Sequence, residues 1–303
     1  MGDLTKVPVD CYREIVEQLP VATYLVDAGR RILLWNDACE ALTGHRREEV
    51  LGRSCADHIL VHCDESCMPK CGDACPLAET MRDGHPRRAE LFLRHKAGHR
   101  VPVRVRAAPL RDEHGGIIGA CESMEEWPMS LPVPPPSGIP PETLLDPVSE
   151  LPPHFVLRDR LMAELHAFGR DRIPFGVLIL AIDGFARICA DDGAIGAGRV
   201  LQATAQTTSR VVGRGNLVGR WRDGVFLAIL RGCSETSLLA SAVTLQRLAS
   251  VEAVPWWGDF LTITLSAGGT VVRPVDTVEE LVRRAEEALG RARQWGKNQA
   301  VVV

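Results

Sequence analysis

The sequence has no excess of basic residues, no long apolar run and, in its first residues, no pattern typical of a signal peptide. Its formal net charge is −4, so charge gives no reason to expect a nucleic-acid partner. The longest apolar run lies around Val177–Ile182, well short of the ~18 residues that a membrane-spanning helix needs. The N-terminus, MGDLTKVPVDCYRE, has neither the charged nor the apolar region of a signal peptide. We therefore expect a cytoplasmic protein that binds neither DNA nor a membrane.

The composition is that of a globular protein with two domains. The chain has 303 residues, of which 46% are hydrophobic and 24% charged. An abrupt change occurs over residues 125–142, EEWPMSLPVPPPSGIPPE, where proline is dense enough to forbid a helix and to favour extended polyproline. The sequence thus predicts a first domain over 1–124, a linker over 125–142 and a second domain over 143–303.

Ten cysteines are present, and in the cytoplasm these are free thiols or metal ligands more often than structural disulfides. A cysteine-rich segment, residues 62–76, carries four of them at a regular spacing of four: Cys63, Cys67, Cys71 and Cys75. Thiolates suit Zn²⁺ or an iron–sulfur cluster. The spacing is not a standard zinc pattern, so a thiol–disulfide switch and unliganded thiols stay open. His58 and His62 lie near enough to serve as further ligands, although exposed loop histidines are the simpler interpretation.

The order of elements in the first domain is two strands, short helices and three strands. The segments that carry this order are LPVATYLVD, WNDACEALTG, LGRSC, RHKAGHRVPV and APLRDEHGGIIG. Together they resemble the PAS domain. The resemblance implies an antiparallel five-stranded sheet with short helices, and a sensory module that forms a homodimer. It does not name a ligand.

The second domain is organised around the stretch Asn216–Leu230, NLVGRWRDGVFLAIL. Asp223-Gly224 between two apolar runs predicts a β-hairpin, and a type I′ turn would give both central residues a positive φ. The run Val225–Leu230 predicts a strand that is buried on both faces.

Other segments of this domain are DPVSELPPH, FGVLILAID, FLTITLSAGGTVV and VEELVRRAEEALGRARQWGKNQAVV. In this order they resemble the GGDEF family, the diguanylate cyclases, which make cyclic di-GMP from two GTP. The resemblance implies a central sheet flanked by helices, so that the whole chain is of the α+β and α/β classes. The family's hairpin motif R-x-G-G-D-E-F corresponds here to Arg220-Trp221-Arg222-Asp223-Gly224-Val225-Phe226.

The resemblance also shows what has changed. The four catalytic positions of the hairpin are occupied by Arg222, Asp223, Gly224 and Val225. Neither Gly224 nor Val225 can hold a cation or take a proton. The family's metal carboxylate falls on Asp183, which is retained and which also suits a plain turn at the end of a strand. The guanine-binding and product-binding positions correspond to Cys189 and Gly198, and to Gly213 and Asn216, with Arg214 one place off.

We therefore expect a PAS sensor joined to a catalytically inactive GGDEF domain that serves as an interaction or regulatory module for a partner signalling protein. Magnesium is not expected in that domain. Two alternatives stay open: a weak or altered diguanylate cyclase that uses Asp183 with Asp223, and an effector that binds GTP or cyclic di-GMP.

Overall fold

The computed structural model describes residues 9–57, 59–72, 74–127, 145–213 and 215–303. The chain divides into two compact units, and Trp127 ends the first. Most of the expected linker, including all of its prolines, lies outside the described residues. Among those that are described, no helix combines the length and the apolar character needed to cross a membrane.

The first unit is built on a five-stranded sheet with the strand order β2-β1-β5-β4-β3. Its central pairs, β1 with β2 and β5, and β4 with β5, are antiparallel. The last strand ends at Glu126, beyond the predicted domain end at 124. Its elements are α1 (Val9–Gln18), β1 (Ala22–Asp27), β2 (Ile32–Trp35), α2 (Asp37–Thr43), α3 (Arg47–Val50), α4 (Pro76–Asp83), β3 (Arg87–Arg94), β4 (Arg100–Arg111) and β5 (Ile117–Glu126).

A buried asparagine organises the start of this unit. The side-chain oxygen of Asn36 accepts hydrogen bonds from the amides of Thr23 and Cys39, both at 3.0 Å. It thereby caps α2 and fastens that helix to β1. The helix ends at Gly44, whose φ of 73° is the left-handed conformation that glycine adopts most readily. Local sequence chemistry thus sets both ends of the helix.

The second unit has a five-stranded sheet with the order β12-β11-β6-β8-β7. Strands β11 and β12 are parallel, and the other pairs are antiparallel. Its elements are α5 (His154–Asp171), β6 (Phe175–Ile182), α6 (Phe185–Asp191), α7 (Gly193–Val212), β7 (Leu217–Arg222), β8 (Val225–Arg231), α8 (Glu235–Ser250), β9 (Val254–Trp256), β10 (Asp259–Leu261), β11 (Leu265–Val271), α9 (Val278–Gln294) and β12 (Ala300–Val302).

The predicted hairpin is present, but its turn differs from the expected type. Strands β7 and β8 flank Asp223-Gly224, and Val225–Leu230 is buried as predicted. Asp223 has a φ of 36°, whereas Gly224 is not among the residues of positive φ, so the type I′ prediction was wrong. A register shift between Arg220 and Arg222 accompanies this turn. The ring of Phe185 packs so closely on Gly224 that a methyl group built there would lie 2.4 Å from the ring.

Candidate functional site

Asp183, the retained carboxylate, follows β6 and accepts three hydrogen bonds from the protein. Its Oδ1 accepts from the hydroxyl of Ser266 at 2.8 Å. Its Oδ2 accepts from the hydroxyl of Thr264 at 2.8 Å and from the backbone amide of Asn298 at 3.0 Å. One carboxylate therefore ties together the ends of β6, β11 and β12, which suits an anion that stabilises the sheet.

The cross-strand neighbours of Ala181, two residues before Asp183, are not acids. Ala181 lies opposite Val225 of β8 and opposite Ser266 of β11. These side chains are small or apolar, and none carries a charge. Throughout the described ranges, no group of three or more histidine, cysteine, aspartate or glutamate side chains is arranged to hold a metal ion.

The hairpin turn carries charged side chains in place of a glycine pair. Arg222 points to α9, where its guanidinium lies 3.0 Å from the carboxylate of Glu286. The backbone carbonyl of Asp223 accepts a hydrogen bond from Arg220 Nε at 3.1 Å. Phe185 fills the space against Gly224. The turn is thus held by its own side chains and by the first residue of α6.

An ion pair that the sequence did not reveal fixes the base of this hairpin. The guanidinium of Arg220 lies 3.0 and 2.9 Å from the two carboxylate oxygens of Asp146. Asp146 also accepts from the amide and hydroxyl of Ser149, both at 2.8 Å. The Arg220 amide donates to the Pro152 carbonyl at 2.8 Å. Asp146 and Arg220 both belong to segments that resemble the GGDEF family, but the sequence alone does not show that they form an ion pair.

That close approach requires a glycine. A methyl group built on Gly219 would lie 2.3 Å from the Pro152 carbonyl oxygen. Any larger residue would push the segment that contains Asp146 away from β7. Gly219 is therefore a structural partner of the Asp146–Arg220 pair.

The other nucleotide positions show no constellation of binding groups. Cys189 is exposed on α6, and Gly198 lies on α7. The amide group of Asn216 bridges the end of α7 to β8: it donates to the Val212 carbonyl at 2.8 Å and accepts from the Arg231 amide at 3.0 Å. Arg214 lies outside the described residues.

The cysteine-rich segment forms a small hairpin on the edge of the PAS sheet. Cys63 makes isolated bridges to Pro69 and to Phe92 of β3. The amide of His62, a buried residue, donates to the thiol of Cys71 at 3.1 Å. Cys67 sits at the tip with a φ of 59°. The predicted ligand His58 lies outside the described residues.

Cys75 follows that hairpin in the chain. It is the N-cap residue of α4 and belongs to the buried core of the PAS domain. Burial raises the pKa of its thiol, and burial likewise raises the pKa of Cys55 to about 12. Burial therefore disfavours the free thiolate at both positions. The metal site stays a prediction.

The structure also reveals a buried acid that sequence analysis missed. Glu122 on β5 accepts a hydrogen bond from the Tyr24 hydroxyl at 2.7 Å, and both side chains are buried. Burial raises the pKa of Glu122 to about 7, and the bond from Tyr24 opposes that shift. The alternation of inward and outward residues along β5 could have identified Glu122 as buried, since Ala120 and Met124 flank it on the same inward face.

Comparison with known families agrees with this architecture. The family model described as "Diguanylate cyclase, GGDEF domain" matches residues 143–299, and the model of the PAS fold matches residues 11–124. The chain belongs to the GGDEF family. Its GGDEF domain follows a PAS domain, as the resemblances implied.

One curated relative matches about half of the chain. The chain is 32% identical over 164 residues to diguanylate cyclase DgcP of Pseudomonas aeruginosa, a match that covers 53% of this chain and 24% of that protein. The chain therefore spans only about a quarter of the length of this curated relative.

Two solved structures share the same part. Diguanylate cyclase SiaD of P. aeruginosa, solved with its activator SiaC, is 25% identical with a TM-score of 0.52, over 53% of this chain and 62% of that one. The GGDEF domain of DgcB from Caulobacter crescentus, solved with c-di-GMP, is 17% identical with a TM-score of 0.52, over 55% of this chain and 98% of that one. The second likeness concerns the fold alone.

Proposed function

We propose that this protein is a cytoplasmic PAS sensor whose GGDEF domain does not join two GTP and instead acts as an interaction or regulatory module. The observation that carries the proposal is the state of Asp183. Both of its oxygens accept hydrogen bonds from the protein itself, and the hairpin positions that carry acids in the family hold Gly224 and Val225.

The chemistry of the family reaction explains why this matters. Joining two GTP requires cations that neutralise the phosphates and a base near the attacking hydroxyl. At the hairpin, Gly224 and Val225 replace acids, and the ring of Phe185 occupies the space beside Gly224. A cation at Asp183 would have to share the two carboxylate oxygens with three protein donors.

A partner protein is the proposed recipient of the signal. SiaD was solved with its activator, and a domain that lacks turnover still offers the surfaces of its fold. We propose that the PAS domain senses the input and that the GGDEF domain passes it on by binding such a partner, with homodimerisation through the PAS domain as part of the mechanism.

The decisive experiment is incubation of the purified full chain with GTP and Mg²⁺, followed by mass spectrometry for cyclic di-GMP. An active diguanylate cyclase under the same conditions is the positive control. We expect no product. Product that disappears in the Asp183→Asn variant would instead establish the altered cyclase that uses Asp183 with Asp223.

Calorimetry tests the second alternative, an effector that binds GTP or cyclic di-GMP. DgcB was solved with c-di-GMP, so this ligand must be tested directly on the present chain. We expect no heat of binding for either nucleotide. Saturable binding of cyclic di-GMP without turnover would show instead that the domain is an effector that binds this nucleotide.

For the input, we propose that the cysteine-rich segment takes up a metal or changes its oxidation state. The proximity of Cys71 to the backbone of His62, next to Cys63, supports a site at the base of its hairpin. Metal analysis and a visible spectrum of anaerobically purified protein test it, since a cluster absorbs broadly and zinc is colourless. Unchanged metal content and stability in a variant with serine at all four positions would end this proposal.

A further inference from the structure

The hairpin of β9 and β10 carries an exposed aromatic surface that the proposed function does not use. We define the aromatic tip as Trp256, Trp257 and Phe260. Trp257 is 89% exposed and Phe260 is 52% exposed. The rings of Trp256 and Trp257 meet edge to face, with centroids 6.0 Å apart. Exposed aromatic groups of this size usually mark a place where another surface binds.

The hairpin that carries the aromatic tip packs against α7, so the exposed tip is not part of an unsupported loop. A methyl group built on Gly196 of α7 would lie 3.1 Å from the ring of Trp256. The guanidinium of Arg199 stands 5.7 Å from the centroid of that ring, and it donates to the Pro255 carbonyl at 3.1 Å. Contacts with α7 therefore hold the hairpin and present Trp257 outward.

The chain itself contains a ligand of the right chemistry. Residues 128–144 include seven prolines, and Pro132-Val133-Pro134-Pro135 is a P-x-x-P sequence. Segments of this kind dock on aromatic surfaces because proline rings pack on aromatic rings and because the extended polyproline helix loses little entropy on binding. Indole N–H groups can donate to its unpaired carbonyls.

The point where the described chain resumes places this ligand near the aromatic tip. The described chain resumes at Leu145. A side-chain methyl of Val148 lies 3.6 Å from a methyl group built on Gly198 of α7. Gly198 is two residues beyond Gly196, on which Trp256 packs, and positions two apart lie on different faces of a helix. Val148 therefore lies about one helix diameter, ~10 Å, from the base of the hairpin.

We propose that the proline-rich segment, residues 128–144, docks on the aromatic tip of its own chain. A tether of a few residues keeps the segment at a millimolar effective concentration, so weak stacking contacts suffice. At roughly 3.1 Å per residue, ten residues of extended polyproline span about 30 Å, which is ample for the tip. Docking restricts part of the connection between the PAS and GGDEF domains, a role beyond the interaction module proposed above.

The test compares the full chain with a variant in which residues 128–142 are replaced by a glycine–serine sequence of equal length. Indole N–H signals of ¹⁵N-labelled protein report on each tryptophan. We expect the Trp256 and Trp257 signals to differ between the two chains. The Trp35 signal, from the PAS core, checks folding. Trp295 is the matched control, because it is 69% exposed at the end of α9 and should not respond.

A synthetic peptide of residues 128–144 completes the test. Added to the glycine–serine variant, it should move the Trp256 and Trp257 signals toward those of the natural chain, with saturation. Trp257→Ala should weaken that binding about tenfold, whereas Trp295→Ala should leave it unchanged. Identical signals in the two chains, or no response to the peptide, would overturn the proposal. Shifts that appear only with rising protein concentration would overturn docking in cis, since they show a second copy as the occupant.

Discussion

Each domain holds one carboxyl group at the centre of its architecture, and the two differ in their hydrogen-bond donors. Asp183 in the GGDEF domain has three donors and stands at the junction of three strand ends. Glu122 in the PAS domain has one donor, Tyr24, and is enclosed by the core. Asp183 therefore links three strand ends, a structural role. At Glu122, burial with one donor favours the neutral acid, so this group responds to pH.

The largest loss of stability should come from removing Asp183, the carboxyl group with the larger number of hydrogen-bond donors. Asp183→Ala leaves the hydroxyls of Thr264 and Ser266 and the amide of Asn298 without their acceptor. We expect the GGDEF domain to lose about 3 kcal/mol of unfolding free energy, since bonds to a charged acceptor are worth more than neutral ones. Urea unfolding measures it.

A matched control is Asp191→Ala, because Asp191 is an exposed acid on α6 that pairs only locally with Arg187. Little change is expected there. The outcome that contradicts the structural role is an Asp183→Ala variant as stable as the natural chain, which would mean that the carboxylate is held for function at the expense of stability.

The next largest effect should be a pH dependence of the stability of the PAS domain, which comes from Glu122. The pKa of Glu122 rises from its ordinary value of 4.5 to about 7 on folding. Because the folded state holds the proton more tightly, this stabilisation is complete below about pH 4.5 and is lost as pH rises through 7. It amounts to roughly 3 kcal/mol, or somewhat less. Unfolding of the PAS domain, followed between pH 5 and 8, should show it.

Glu122→Gln should flatten that pH profile, because glutamine does not titrate and can still accept from Tyr24. Glu113→Gln is the control, since Glu113 is exposed in the turn between β4 and β5 and should leave the slope as it is. A profile with the same slope in the Glu122→Gln variant would assign the titration to another group.

The pair Asp146 and Arg220 should give a smaller effect. Its side chains are 16% and 21% exposed, so solvent screens the charges only in part. A double-mutant cycle with Asp146→Asn and Arg220→Ala should give a coupling free energy of about 1–2 kcal/mol. Additive single effects would show that the two groups act independently.

The smallest effect on stability is expected at the turn between β7 and β8. Arg222 pairs with Glu286 in the open, at 57% and 36% exposure, and such pairs contribute no more than about 0.5 kcal/mol. Arg222→Ala should therefore leave stability nearly unchanged. Arg231→Ala should cost more, because Arg231 pairs at 3.0 Å with the buried Glu164. Equal losses would mean that the turn depends on Arg222 for its structure.

Local patterns predicted much of this fold. The Asp223-Gly224 pair correctly placed the hairpin between β7 and β8, and the apolar run after it correctly predicted a buried strand. The order of motifs led to both domain families. The turn type was wrong, since only Asp223 has a positive φ. The packing of Phe185 on Gly224 comes from another part of the chain, and a propensity rule for two residues has no information about it.

The candidate site was less predictable because its central features are tertiary. Asp183 was identified as a retained acid, yet its partners Thr264, Ser266 and Asn298 lie more than eighty residues further along. Ser266 was not among the predicted site residues, although its hydroxyl donates to Oδ1 of Asp183. The Cys63–Cys75 spacing was visible in the sequence, but the fold places Cys67 at a hairpin tip and Cys75 in the core.

The most direct test of the central claim is whether a divalent cation reaches Asp183. Paramagnetic Mn²⁺ with GTP, added to the ¹⁵N-labelled full chain, broadens amide signals near any bound ion. We predict no saturable broadening at Thr264, Ser266 or Asn298, because three protein donors compete for the Asp183 oxygens and the hairpin positions Gly224 and Val225 supply no further carboxylate. Saturable broadening at these three amides, lost in the Asp183→Asn variant, would contradict it.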